Sequence, residues 1–307
     1  MYEHKSVLLN EAIEYLNIKE DGIYVDATTG GGGHSKEILK RLTKGHLYCF
    51  DQDDYAIERA SKVLSEVGSN YTFIKSNFVN LKDELNKLGV NSIDGILYDL
   101  GVSSFQFDIP ERGFSYNYDA PLDMRMDQGR ELTAETIVNT YSLDELSNIF
   151  YRYGEDPNSR MIAKKIVDVR KNRRIETTFE LVDVIKSALP QKVLNSKGHP
   201  AKRIFQALRI AVNDELRVFE VSINDALDML NKEGRAVVIT FHSLEDRICK
   251  VVFKERSTVN VPKGLPINNI EEAPYELVNK HPITPTDEEL EYNNRAHSAK
   301  MRVIKKR

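Results

Sequence analysis

The chain has 307 residues, 41% hydrophobic and 29% charged, an ordinary globular composition with room for two domains or for one domain carrying a large insertion. No stretch approaches the roughly 18 consecutive apolar residues of a membrane span, and the start Met1-Tyr2-Glu3-His4-Lys5 has no signal-peptide pattern, so a cytoplasmic protein without a membrane partner is expected. The net charge of −4 hides a segregation: Arg152 to Arg217 holds 15 Lys/Arg against 8 Asp/Glu, and Arg295 to Arg307 holds 6 basic residues and no acid. The remainder is strongly acidic, so one basic region facing a polyanion such as RNA is expected; a solvated helix face is the bland alternative.

The first strand signal is Gly22–Ala27, a β-branched run closing on Asp26. It enters Thr28-Thr29-Gly30-Gly31-Gly32-Gly33-His34-Ser35 and then a helical pattern, Ser35–Leu42. Glycines allow a tight turn and close approach of a ligand to the next helix's free N–H groups. Counting from Gly30 or Gly31, the sixth place is Ser35 or Lys36, so the dinucleotide fingerprint fails. Asp26 is wrong beside a phosphate and suits a cationic ligand, such as the ammonium or sulfonium of S-adenosylmethionine. Within the turn His34 is expected to offer its backbone N–H, and Ser35 to cap the helix.

Strands are then expected at His46–Asp51, Tyr71–Lys75 and Ser92–Asp99, with helices Tyr55–Val67 and Phe78–Leu88 between them. Their ends, Asp26, Asp51, Lys75 and Asp99, recur at intervals of 25, 24 and 24 residues, about one βαβ unit. Right-handed crossovers gather these ends at one carboxyl edge, where such sheets bind ligands. Asp51 can accept from both ribose hydroxyls of an adenosine, Phe78 can stack on an adenine, and Tyr98-Asp99-Leu100-Gly101-Val102-Ser103-Ser104-Phe105-Gln106 can hold a flat acceptor. Gly101 to Arg130 reads as a long aromatic loop, 131–213 as an inserted basic helical domain, and Ala201–Asn231 as one long helical stretch. A fifth strand, Arg235–Thr240, leads to Phe241-His242-Ser243-Leu244-Glu245-Asp246-Arg247, where Ser243 opens a helix with Asp246 as its capping partner and His242 faces the acceptor. No Gly-x-Ser-x-Gly elbow accompanies Ser243. Tyr275–Lys280 and Ser298–Ile304 read as a hairpin at the sheet edge. Cys49 and Cys249 form no Cys-x-x-Cys pair, the histidines show no ligand spacing, and no metal is expected.

These segments together resemble the family of ribosomal RNA small subunit methyltransferase H. The resemblance is carried by His4-Lys5-Ser6-Val7-Leu8-Leu9, Asp26-Ala27-Thr28 through Gly32-Gly33-His34-Ser35, and Asp94-Gly95-Ile96-Leu97-Tyr98-Asp99 through Ser104. It continues in Arg112-Gly113-Phe114-Ser115, Pro121-Leu122-Asp123-Met124-Arg125-Met126, Tyr153-Gly154-Glu155, His199-Pro200-Ala201, Phe205-Gln206-Ala207 and Phe241 through Arg247. Gly31, where some relatives carry a larger residue, is one departure. The resemblance implies a class I, Rossmann-like S-adenosylmethionine-dependent fold with an inserted helical domain, the core being 1–130 with 214–307. It implies methyl transfer to N4 of a cytidine in the decoding region of 16S rRNA, within the small ribosomal subunit. It implies S-adenosylmethionine held by Gly32, Gly33, His34, Asp51, Phe78, Asp99 and Gln106.

A cytosine amine needs alignment and a proton acceptor. Asp99 and Ser103 are the candidates for orienting it, since the loop Asp99-Leu100-Gly101-Val102 lacks the proline pair of many N4-cytosine methyltransferases. Arg170, Lys171, Arg173, Arg174, Lys202 and Arg203 are candidates for phosphate contacts. A nicotinamide dehydrogenase is opposed by the missing third glycine and by Asp26; a non-catalytic RNA-binding module predicts salt-sensitive RNA binding without a cofactor. Oligomeric state, including a homo-oligomer, is left open.

Overall fold

A computed structural model describes residues 6–259 and 272–307; His4 and Lys5 of the opening motif lie outside the described residues. The chain forms two compact units, Met1–Gly101 with Leu216–Arg307, and Val102–Glu215.

In the first unit the order begins α1 (Leu9–Leu16), β1 (Ile23–Asp26), α2 (Gly33–Leu39), β2 (His46–Asp51), α3 (Asp54–Ser65), β3 (Tyr71–Lys75), α4 (Leu81–Lys87) and β4 (Ile93–Asp99). Each strand stops at or within a residue of the polar position expected to end it. The four pair in parallel, with Asp26 opposite Cys49 and Leu97, and Asp51 opposite Lys75, so their carboxyl ends share one edge. Successive residues alternate between two buried faces. Tyr24, Leu47 and Leu97 face a cluster with Ile13 and Leu16, whereas Val25, Phe50 and Tyr98 face one with Phe219 and Ile223. At about 1.5–3 kcal/mol for each large side chain buried, both faces contribute to stability.

The second unit holds α5 (Ser104–Asp108), α6 (Ala134–Thr140), α7 (Leu143–Gly154), α8 (Ser159–Arg170), α9 (Thr178–Ala188), α10 (Gln191–Leu194) and α11 (Lys202–Asn213). It begins at Val102, before the 131 expected from helical spacing, because the aromatic loop is part of its core. Phe114, Leu122 and Met124 are buried with Ile137, Phe150, Ile166, Leu181, Phe205 and Leu208. The loop is fastened by polar groups as well. The buried Arg112 guanidinium donates to the Arg125 and Met126 carbonyls at 3.0 Å, and Asn213 Nδ2 donates to the Met124 carbonyl at 2.8 Å. These bonds hold Met124 at φ 64, a left-handed conformation unusual for a bulky residue.

The chain then continues through α12 (Glu215–Met229), β5 (Leu230–Thr240), α13 (Ser243–Arg256), β6 (Tyr275–Leu277), α14 (Asp287–Tyr292) and β7 (Lys300–Lys306). The single long helix expected over Ala201–Asn231 is in fact α11 and α12, because Asp214 ends α11 in a left-handed turn at φ 55. Among the described residues the sheet order is β3-β2-β1-β4-β5-β7-β6, with β7 antiparallel to both of its neighbours. The expected edge pair therefore forms, but α14 joins its strands in place of a tight turn.

Two expected caps are corrected. Helix α2 begins at Gly33 with Gly32 as its N-cap, so Ser35 lies inside the first turn and its hydroxyl donates to Asp26 Oδ2 at 2.6 Å. Helix α13 is capped by His242, not Ser243: His242 is extended and its Nδ1 accepts the Glu245 N–H, while Glu245 accepts the Phe241 N–H at 2.8 Å. Asp246 turns away to a two-pronged pair with Arg302, at 2.7 and 3.2 Å.

Candidate active site

The glycine turn is tied to the strands on both sides of β1. Ala27 donates to the Leu97 carbonyl at 2.9 Å and Thr29 to the Phe50 carbonyl at 3.0 Å. Gly32 stands at φ +82, and a Cβ there would lie 3.2 Å from the Cα and Cβ of Ala60, so this position has neither the backbone nor the room for a side chain. Beyond the turn the backbone enters α2, and Gly32 as its N-cap brings no side-chain cap to the first N–H groups.

Three acids converge there. Asp26 is 1% exposed; Thr28 N donates to its Oδ1 and Ser35 to its Oδ2. Burial raises its pKa to about 6 against these two bonds, which favour the charged form. Asp51 accepts from Gly30 N and Asp53 N, each at 2.9 Å, and burial first, then the charges of Asp53 and Asp26, raise it likewise to about 6. Asp99 is raised well above the usual carboxylate range, by burial and then by the charges of Asp26, Glu245 and Glu289. Its main-chain N–H donates to Thr28 Oγ1 at 2.7 Å, while its Oδ1 is buried with no hydrogen-bond partner among the described residues. Asp26 raises both of the other acids, so the edge favours positive charge, and an orphaned carboxylate oxygen asks for a donor. A ligand bearing an ammonium and a sulfonium meets both needs, and hydroxyl donors would suit Asp51.

Of the expected site residues, Gly32, Gly33, His34, Asp51, Phe78 and Asp99 belong to the first unit, and contacts link most of them. Asp51 bonds the glycine turn at Gly30, and His34 Nδ1 lies 3.6 Å from Asp99 Oδ2. Phe78 starts a short 3-10 turn after β3, its ring edge-on to Tyr98 at 5.7 Å. Gln106 and Ser103 lie in the second unit, where the Ser103 N–H donates to Gln106 Oε1 at 3.2 Å at the start of α5. Expected as a contact for the acceptor, His242 has Nε2 3.1 Å from Glu245 Oε1 and serves as the cap of α13.

What residue types alone did not reveal is the side chain of His34. Expected to supply only its backbone N–H, it is 5% exposed and points its imidazole between the Val7 carbonyl and Asp99. The available signal was positional: His34 opens a helix at the edge where Asp99 ends a strand. In the basic helical unit Arg170 is corrected: its guanidinium donates to the Val138 and Tyr141 carbonyls, so it fastens α8 to α6. Lys171, Arg173 and Arg174 form exposed pairs with Asp168, Glu180 and Glu135, which are individually weak and exchangeable; Arg203 reaches the Glu155 carbonyl, and Lys202 is exposed.

A parallel sheet extended by an antiparallel β7 between β5 and β6, with a glycine turn after β1 and acids closing β1, β2 and β4, defines the Rossmann-like class I methyltransferase fold, here with a helical unit inserted. The chain belongs to the MraW methylase family, whose profile matches residues 1–307. It is 58% identical over 309 residues to ribosomal RNA small subunit methyltransferase H of Streptococcus dysgalactiae subsp. equisimilis, covering 99% of this chain and 98% of that protein. Among solved structures it is similar to an rRNA methylase from Streptococcus thermophilus, with a TM-score of 0.44, 13% identity, and coverage of 97% of this chain and 93% of that one. An S-adenosylmethionine-dependent O-methyltransferase from Thermotoga maritima gives a TM-score of 0.44 at 9% identity, covering 100% of this chain and 68% of that one.

Proposed function

We propose that this protein transfers a methyl group from S-adenosylmethionine to N4 of a cytidine in the decoding region of 16S ribosomal RNA, acting in the cytoplasm on the small ribosomal subunit. The observation that carries the reading is the carboxyl edge of the sheet, where Asp26, Asp51 and Asp99 surround a glycine turn and each carboxyl is held above its ordinary value. The relative's name supports ribosomal RNA as substrate. The donor supplies a methyl carbon activated by a cationic sulfur.

The chain's own residues bind, orient and accept. Asp51 has one oxygen on Gly30 N and the other on Asp53 N, and a carboxylate's remaining lone pairs can accept from two ribose hydroxyls. Phe78 would offer its ring to the adenine, and the N–H groups of Gly32, Gly33 and His34 would meet the amino-acid end of the donor. Asp99, with Oδ1 unpaired, orients an N–H and takes the proton that the methylated amine sheds. Ser103 and Gln106 are the second unit's candidates for the acceptor and the donor. The basic helical unit, foremost Lys202, Lys171, Arg173 and Arg174, would hold phosphates, which set position without reading sequence. A stacked target cytidine is extruded to reach the site.

The test is incubation of the purified protein with labelled donor and small subunits from a strain lacking the corresponding enzyme, followed by nucleoside analysis. Label on N4-methylcytidine is expected. Label on a ring carbon or a ribose oxygen refutes the target, and no transfer at all refutes the reading.

A further inference from the structure

The imidazole of His34 stands between the Val7 carbonyl and the Asp99 carboxyl. Its Nε2 lies 3.1 Å from the Val7 carbonyl, and a carbonyl only accepts, so Nε2 carries a hydrogen. Nδ1 is then the nitrogen facing Asp99 Oδ2, at 3.6 Å. A neutral imidazole held this way points a lone pair at the carboxyl, which repels an ionised carboxylate. A single proton removes the conflict, as Asp99 O–H donating to Nδ1 or as an imidazolium donating to the carboxylate.

The support behind the imidazole is also built. Leu8 is fully buried at φ 51, a left-handed conformation costly for a large side chain. It is held there by Glu289 of α14, whose Oε1 accepts the Leu8 N–H at 2.9 Å, and this bend presents the Val7 carbonyl to His34. The charged groups that act on Asp99 besides His34 are Asp26 at the end of β1, Glu245 of α13 and Glu289 of α14, all acidic and all favouring retention of a proton.

We propose that His34 is the positioning residue for Asp99, sharing one proton with it while the site is empty and releasing that proton when a cationic methyl donor binds. The proposal rests on the S-adenosylmethionine reading above. Asp99 regains the proton in turnover: the amine lone pair forms the N–C bond, the C–S pair stays on sulfur, and the amine proton passes to the Asp99 carboxylate. The site thus carries one compensating positive charge before, during and after transfer.

Calorimetric titration across pH 6 to 8.5, in paired buffers of different ionisation enthalpy, counts the protons released. S-adenosylmethionine should release close to one more proton than neutral-sulfur S-adenosylhomocysteine at the acid end, with the difference vanishing at the alkaline end. In H34Q the midpoint of that difference, and of the methylation pH profile, should move down by about one pH unit, the worth of one hydrogen bond to the protonated pair. An unmoved midpoint overturns the role of His34. D99N, which keeps an N–H donor toward Nδ1, should bind both ligands with equal proton counts, and it serves if H34Q does not fold. In histidine-labelled protein, the imidazole signal lost in H34Q should show hydrogen on Nε2; hydrogen confined to Nδ1 in the neutral ring overturns the geometry. Equal proton counts for both ligands in the wild type overturn this inference and leave the proposed function standing. Binding of neither ligand removes both.

Discussion

Replacing Asp26 by asparagine tests whether the buried acids oppose folding of the free protein. Its pKa rises from 3.8 to about 6, a shift of about two units that is worth about 3 kcal/mol at 1.36 kcal/mol per unit. The folded state holds the proton more tightly than the unfolded chain. This carboxyl's contribution to stability is therefore fully present below pH 3.8 and is lost as the pH rises through about 6. In D26N the amide oxygen can keep the Thr28 N–H, and the Ser35 hydroxyl can accept from the new amide nitrogen while turning its own hydrogen toward Cys49 Sγ, 3.8 Å from Ser35 Oγ. Urea denaturation of wild type and D26N at pH 5 and pH 8 reads the effect. D26N should gain on the wild type by about 1.4 kcal/mol more at pH 8 than at pH 5, since roughly half of the penalty has accrued by pH 5. A stability difference that stays constant between the two pH values refutes a buried, charge-strained Asp26.

Asp51→Ala should weaken S-adenosylmethionine binding about 10- to 100-fold by calorimetry, because bonds to a charged acceptor contribute about 1.5–3 kcal/mol each; an unchanged dissociation constant excludes Asp51 from the donor site. Gly32→Ala forces a Cβ against Ala60 at 3.2 Å on a φ of +82, and thermal denaturation should register a loss of about 1–3 kcal/mol. Tyr98 donates to or accepts from the fully buried Ser222 hydroxyl at 2.7 Å, so Tyr98→Phe should cost about 1 kcal/mol in urea denaturation with no change in the methylated position. If Lys202 contacts a phosphate, Lys202→Ala should reduce the slope of log affinity against log salt for RNA by about one, with full donor binding retained; an unchanged slope removes it from the interface.

The acid-ended strands were legible because a period of about 24 residues and a two-residue alternation of apolar side chains both survive in the sequence. Asp26, Asp51 and Asp99 follow directly from that pattern. Features without periodicity were not legible. The loop with Phe114, Leu122 and Met124 looks like a surface connection until Arg112 and Asn213 are seen to consume its carbonyls. In sequence an imidazole that accepts an N–H is indistinguishable from a serine that does so, which hides His242 behind Ser243 as the cap of α13. Asp214 breaks a continuous helical pattern through its backbone alone. The role of the His34 side chain is illegible for a different reason: its partners, Val7 and Asp99, lie 27 and 65 positions away along the chain.

Asp99 in β4 aligns with Ile239 in β5, and the entire helical unit is threaded between them. During synthesis the contacts that close this unit are all available before β5 leaves the ribosome, whereas the middle of the sheet must wait with β4 lacking its neighbour. A nascent chain that has not reached Thr240 therefore exposes an apolar strand edge, the kind of surface that chaperones retain and that aggregates when translation stalls.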